Sequence, residues 1–310
     1  MKNDVQGGTS AKKTVLITGA SGFLGRHLAE KYRENGNYRV YAFTSSPEKL
    51  SEHLAAPGVT VLHRVAVFGD EMRDVMRGSV LINCAFPRNA DGPGMAEGLK
   101  YIRRVFEKAA LFGAEAVVDI SSQSVYSQKR TGPADESEPV CPENSYAVAK
   151  YAVEEMLEGI CGNKGPAVCH VRMASLIGPA FDQRIVNRLV MQALKTGGIS
   201  VKRNSQYFGF FDVDDAAAAL FSMTGCDRRS WKRYYNLGGR NVYTLTDIAD
   251  AVKDVLHGIR DVMTEITDGP GECNTGVNAE LFYRDFGFEP QIDLRESTRR
   301  IAEAAMAAAE

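Results

Sequence analysis

The sequence predicts an α/β protein, a doubly wound parallel sheet with a smaller α/β unit toward the C-terminus. Three observations lead there. The stretch Thr14-Val-Leu-Ile-Thr-Gly-Ala-Ser-Gly-Phe-Leu-Gly25 joins an apolar run to three spaced glycines and then to a helical pattern of Phe23, Leu24, Leu28 and Tyr32. Short apolar runs then alternate with segments of helical period, as parallel sheets with crossover helices require. Finally, helical patterns around 185–195, 246–256 and 278–286 surround short strand-like runs at 199–202 and 206–212.

Val15, Leu16 and Ile17 read as a strand buried on both faces. A strand, a glycine turn and a helix in that order make an anion site. The turn lets backbone approach a phosphate, and the helix start offers free N–H groups and a favourable dipole. Gly19, Gly22 and Gly25, with Ser21, Phe23 and Leu24 beside them, are candidate cofactor-binding residues. The alternative is an ordinary strand–helix turn.

Asn35-Gly36-Asn37 stops the first helix, and Arg39 to Thr44 alternates as a second strand. Dinucleotide sites place a carboxylate near the end of this strand, where it accepts from the adenosine ribose. Here the position reads Thr44-Ser45-Ser46. An acid would repel a 2′-phosphate and hydroxyls would not, so the expected cofactor is NADP or NAD, tilted toward NADP. Thr44 and Ser45 are candidate contacts, and Lys49 follows one turn later. On the alternative reading, Ser46-Pro47 only caps the next helix.

Val59 to Leu62 and Val80 to Cys84 are the next strands. Strand ends on this edge face the ligand crevice, which makes Asn83, Cys84 and Ala85 wall candidates. The loop from Pro87 to Gly94 is rich in Gly, Pro, Asn and Asp and reads as mobile, with a helix expected over 96–112. Ala116 to Ile120 is the fifth strand and runs into Ser121-Ser-Gln-Ser-Val-Tyr126. Asn144 or Ser145 then caps a helix opening Tyr146-Ala-Val-Ala-Lys150. Residues four apart share a helical face, and an ammonium one turn away favours a phenolate, so Tyr146 is a candidate proton donor or acceptor. Alone, such a pair is more often a surface feature. It gains weight from its place after a strand–Ser-Ser turn in a chain that opens on the glycine loop.

At 310 residues, with 44% hydrophobic and 25% charged residues and a net charge of −2, the chain has the composition of an ordinary globular protein of two domains or one large one. Scattered charge gives no nucleic-acid footprint. No apolar run approaches the roughly 20 residues that span a bilayer, so no membrane partner is expected. The first twelve residues read as a flexible tail without a signal-peptide core, and the six cysteines form no Cys-x-x-Cys pair. Both point to a reduced cytoplasm. No His/Cys ligand spacing is present, so no metal is expected.

Thr18-Gly-Ala-Ser-Gly-Phe-Leu-Gly25, Ser121 to Tyr126 and Tyr146-Ala-Val-Ala-Lys150, in that order, resemble the extended short-chain dehydrogenase/reductase family, in its NAD-dependent epimerase/dehydratase branch. Val171 to Pro179, Phe211-Asp-Val-Asp-Asp215, Tyr235-Asn-Leu-Gly-Gly239 and Leu281 to Pro290 extend the likeness over about 13–300. The resemblance implies a Rossmann-type dinucleotide domain (13–174 plus about 211–240) and a substrate domain (175–210 plus 241–310). It implies Tyr146 as acid/base, Lys150 on the nicotinamide ribose, Ser122 as the catalytic hydroxyl and the glycine turn on the pyrophosphate. Most of the branch acts on nucleotide sugars. The branch also implies a homodimer through helices 96–112 and 146–158, with Val153, Met156 and Leu157 either at that face or in the core.

Departures narrow this. Gln123 and Ser124 replace the Asp-Glu pair that dehydratases of the branch use, which disfavours water elimination. Ser175 stands where the branch has an asparagine, and the position expected for a diphosphate-clamping arginine reads Phe208. A second arginine expected before Gly271-Glu272 is also missing. Ser124, Ser175, Arg184 and Arg188 are candidate substrate residues, with Lys202 and Arg203 as further cations. A solvated surface is the favoured reading for all four cations. The function expected is NAD(P)-dependent hydride transfer on a sugar, nucleotide-linked in most of the branch, as a 4-ketoreductase or 4-epimerase. The alternatives are a ketone or aldehyde reductase on a non-nucleotide substrate, and a non-catalytic dinucleotide-binding scaffold.

Overall fold

The computed structural model describes residues 12–162, 165–181, 183–271 and 273–308. The tail expected over 1–12 falls, but for Lys12, outside them, as does Glu272. The first half alternates strand and helix: β1 (Lys13–Thr18), α1 (Phe23–Asn35), β2 (Tyr38–Thr44), α2 (Pro47–Leu54), β3 (Val59–His63), α3 (Arg73–Met76), β4 (Val80–Asn83), α4 (Gly92–Phe112), β5 (Ala116–Ser122), α5 (Ser145–Cys161) and β6 (Ala167–Met173). There follow β7 (Ser175–Ile177), α6 (Ile185–Thr196), β8 (Gly198–Arg203), β9 (Phe208–Asp212), α7 (Val213–Gly225), β10 (Tyr234–Leu237), β11 (Val242–Tyr243), α8 (Leu245–Leu256), β12 (Met263–Asp268), α9 (Glu280–Phe286) and α10 (Leu294–Ala307).

Seven parallel strands form the main sheet in the order β10-β6-β5-β4-β1-β2-β3. The strand order reverses between β1 and β4, which opens the ligand crevice of such sheets at their carboxyl ends. One face buries Leu28, Ala29 and Tyr32 of α1 with Ala216 and Leu220 of α7. The other buries Ile102, Val105 and Phe106 of α4 with Val153 and Leu157 of α5. Val153 and Leu157 are therefore core, not a free dimer face. A third core joins α6, α8 and α10 to β8 through Val190, Ile199, Val252 and Ile301. A β11-β9-β7 sheet and a β12-β8 pair complete the C-terminal half.

Two helix starts differ from the sequence reading. The Asp91 carboxylate accepts from Gly94 N at 2.8 Å, and Pro93 lies in the first turn, so α4 begins at Gly92, inside the segment read as mobile. Ser46 provides no side-chain cap to α2; its N–H donates to Thr44 Oγ1 instead. Asn144 does cap α5, accepting from Ala147 N at 2.9 Å, and this fixes the turn that carries Tyr146.

Candidate active site

The glycine turn is backbone packed against backbone. Gly19 has φ +66°, and a Cβ there would lie 2.7 Å from Ala85 N; at Gly25 it would lie 2.3 Å from Gly19 O. Neither position admits a side chain. Gly22 N donates to Gly19 O at 2.9 Å, and Gly22 precedes α1 with no side-chain cap and no acid in the first turn. That leaves helix-start N–H groups for an anion. The turn fits the diphosphate of a dinucleotide.

Two adjoining cavities share the Phe86 wall. The larger, about 660 Å³, is lined by Gly22, Phe23, Leu24 and Gly25, and also by Cys84, Ser122, Ser124, Tyr146, Lys150, Ser175, Arg184 and Arg188. The smaller, about 210 Å³, takes in Gly19, Ser21, Thr44, Ser45 and Ala85. The site candidates from the sequence fall in one or the other except Asn83, which is buried beneath the strand end and bonded to Thr18 and Asp119, and the cations Lys49, Lys202 and Arg203. Arg203 donates to Asp268 at 2.9 Å, away from the cleft.

β5 runs to Ser122, two residues beyond the expected end, and delivers its hydroxyl to the cleft. Ser122 Oγ and Ser124 Oγ are 2.7 Å apart, and Ser122 Oγ also accepts from Ser124 N. Lys150 Nζ donates to Ile120 O at 2.7 Å and lies 4.1 Å from the Phe86 ring centroid. Phe86 meets Tyr146 edge to face at 5.3 Å. Helix α5 and the β4 loop thus hold Tyr146 and Lys150 against one aromatic wall. Burial pushes the Cys84 thiol up to about 12 against the pull of Lys150, so at neutral pH Cys84 is an uncharged wall residue. Gln123, which stands where dehydratases of the branch carry an acid, is buried and accepts from Arg130 Nη2 at 2.9 Å.

Arg184 is not merely solvated, whereas Arg188, though it lines the cavity, is exposed as the sequence reading favoured. Arg184 is half-buried, donates Nε to Leu176 O at 3.1 Å and stacks on Phe181, whose ring lies 4.3 Å from Phe23 of the glycine turn. Burial, with the nearby Arg88 charge, lowers the Arg184 guanidinium to about 10. Arg88 and Phe181 carried no signal in the sequence reading. The Arg88 guanidinium carbon is 5.7 Å from the Tyr146 ring centroid and 5.8 Å from that of Phe181. Four cations, Arg88, Lys150, Arg184 and Arg188, line the larger cavity, with no carboxylate among the described residues there. Such a field attracts an anion.

The site rests on a buried polar frame. Glu154, one turn after Lys150, accepts from Arg172 Nε at 3.1 Å and Nη2 at 2.7 Å, and Ser121 also donates to it. Arg172 Nη1 donates to Tyr126 OH, which donates to Asn236. Thr18, Asn83, Asp119 and His170 lie in register on adjacent strands.

The model of the NAD dependent epimerase/dehydratase family matches residues 15–238. UDP-glucuronic acid decarboxylase 3 of Arabidopsis thaliana is 25% identical over 311 residues, spanning 91% of this chain and 86% of that protein. UDP-glucuronic acid 4-epimerase from Bacillus cereus, solved with UDP-glucuronic acid and NAD, has a TM-score of 0.79 at 18% identity and covers 95% of this chain and 99% of its own. UDP-glucose 4-epimerase from Thermotoga maritima, solved with UDP-glucose, has a TM-score of 0.78 at 19% identity, covering 96% and 100%. At these identities the structural likeness is one of fold.

Proposed function

Because the chain belongs to the NAD-dependent epimerase/dehydratase family, we propose that it is an NAD(P)-dependent enzyme acting at a carbinol or keto carbon of a nucleotide-linked sugar, as a 4-epimerase or 4-ketoreductase. One observation carries this reading: a single cleft gathers the glycine turn, Ser122, Tyr146, Lys150 and the arginines. The nicotinamide, when bound, supplies the hydride acceptor and donor. Ser122 holds the substrate oxygen by hydrogen bond. As the C–H bond gives up its hydride, the O–H proton passes to the Tyr146 oxygen; in the reverse direction Tyr146 returns it. Lys150, anchored on Ile120 O, places its charge at the cofactor end of the same helix face. Gln123 offers no carboxylate for water elimination. Arg184 and Arg188 take the place of the diphosphate clamp lost at Phe208, from the start of α6 rather than from β9. The hydroxyls at Thr44 and Ser45 favour NADP.

The proposed division of labour follows the sheets, with the cofactor on the seven-stranded sheet and the substrate against the C-terminal elements. We also propose a cytoplasmic protein, consistent with six free cysteines and with no described helix long and apolar enough to cross a membrane. A homodimer would pack α4 and α5, where Leu111 and Val148 stay exposed; sedimentation tests it.

The deciding experiment pairs wild type with Tyr146→Phe. UDP-sugars and their 4-keto derivatives are screened with each dinucleotide, and dinucleotide and UDP binding are measured separately. Turnover should fall by about 10²- to 10⁴-fold in Tyr146→Phe with dinucleotide affinity retained. Equal turnover in the two proteins refutes the assignment. Phe208 favours one second reading, a ketone reductase on a non-nucleotide substrate; dinucleotide binding without UDP binding would select it.

A further inference from the structure

The smaller cavity carries one cation that the sequence reading passed over. The register pairs Thr44 at the end of β2 with His63 at the end of β3. Arg64, the next residue, therefore emerges on the same carboxyl edge of the sheet and lines the cavity with Thr44, Ser45 and Ser21. Its guanidinium lies over the Tyr101 ring at 4.8 Å, and Tyr101 OH donates to Arg64 O at 3.3 Å. Side chain and backbone are thus both held by one tyrosine of α4. Among the described residues Arg64 has no ion-pair partner, and no carboxylate lines this cavity. Lys49, the cation the sequence offered, is exposed as Arg64 is, but lies on α2 outside the lining. Thr44 is neutral and already engaged, donating to Ser21 Oγ at 2.7 Å and accepting from Ser46 N at 3.1 Å.

We propose that Arg64 is the residue that selects the cofactor, by receiving the 2′-phosphate of NADP(H). The inference rests on the reading of the cleft as a nicotinamide-dinucleotide site. A guanidinium free of carboxylates and braced on an aromatic face presents a planar pair of donors to a phosphate at little ordering cost. The same group does nothing for a ribose hydroxyl that an acid would not do better. A cation that serves only to pack on Tyr101 would affect both dinucleotides alike.

The test is fluorescence titration of NADPH and NADH separately, on wild type, Arg64→Gln and Arg64→Lys, with melting curves to confirm folding. Wild type should bind NADPH about 10- to 100-fold more tightly than NADH. Arg64→Gln should lose most of that ratio through NADPH alone, with NADH affinity within about twofold of wild type, and Arg64→Lys should keep part of it. A wild type that binds NADH as tightly as NADPH overturns the inference, and needs no variant to fold. So does an unchanged ratio in Arg64→Gln, or an equal loss for both dinucleotides. Failure of wild type to bind either dinucleotide overturns the proposed function itself, an outcome distinct from loss of preference.

Discussion

Raising the pH from about 6 to about 10 should cost the folded protein about 3 kcal/mol through one side chain, His170. The ring is fully buried on β6. Its Nε2 lies 3.1 Å from Glu158 Oε1, and its Nδ1 is 3.6 Å from Asp119 Oδ2, an ion pair rather than a hydrogen bond. Burial works against the charged imidazole, but the two carboxylates outweigh it and raise the ring from 6.5 to about 9. The folded state therefore keeps a proton that the unfolded chain has already released. The stabilisation is complete below the unfolded value and is lost as pH rises through about 9. Some 2.5 pH units at about 1.4 kcal/mol each give the magnitude. Guanidinium unfolding across this range, at constant ionic strength, measures it. His170→Gln keeps a donor for Glu158 without the charge and corrects for other groups that titrate in the window. It should be less stable than wild type near pH 6 and approach it near pH 10. A wild-type stability that is flat across the window, or an equal decline in His170→Gln, would refute the argument.

Two further substitutions probe the site and its frame. Arg184→Gln should raise KM for an anionic nucleotide sugar by about tenfold or more, leaving dinucleotide affinity unchanged. Because burial lowers this guanidinium to about 10, wild-type KM should itself climb as pH passes that value; steady-state kinetics read both effects. Glu154→Gln leaves the nearly buried Arg172 without its carboxylate and should destabilise by about 3–5 kcal/mol in urea unfolding. A loss below about 1 kcal/mol would mean that Arg172 finds another partner.

What the sequence disclosed was local. A strand, glycine turn and helix are read within nineteen consecutive residues, Thr14 to Tyr32, and Tyr146 and Lys150 need only helical spacing to share a face. Arg88 was hidden because its loop reads as a string of breakers, although Asp91 and Pro93 are helix-start residues and tie it to α4. Arg184 read as solvated because its burial depends on Phe181 and on the β4 loop, nearly a hundred residues away in the chain. Arg64 was missed for a related reason: it follows β3, and only the pairing of β3 with β2 puts it beside Thr44. β12 escaped because it is an exposed edge strand, Met-Thr-Glu-Ile-Thr-Asp, with no apolar face to give a period.

The buried polar row explains why so much charge is kept inside a sheet that could have been wholly apolar. Thr18 Oγ1 donates to Asn83 Oδ1 at 2.7 Å, and Asn83 Nδ2 donates to Asp119 Oδ1 at 2.9 Å, with His170 next in line. Each of these is a directional contact between neighbouring parallel strands, and a slip of one residue would turn every member to the opposite face. Apolar packing tolerates small shifts; a buried amide or carboxylate deprived of its partner does not. Thr18 immediately precedes Gly19, Asn83 precedes Cys84, and Asp119 lies three residues before Ser122. The row therefore sets the relative heights of β1, β4 and β5 just below the three strand ends from which the site is built. The glycine turn, the end of β4 and the Ser122 hydroxyl are brought to one level by side chains that lie outside both cavities.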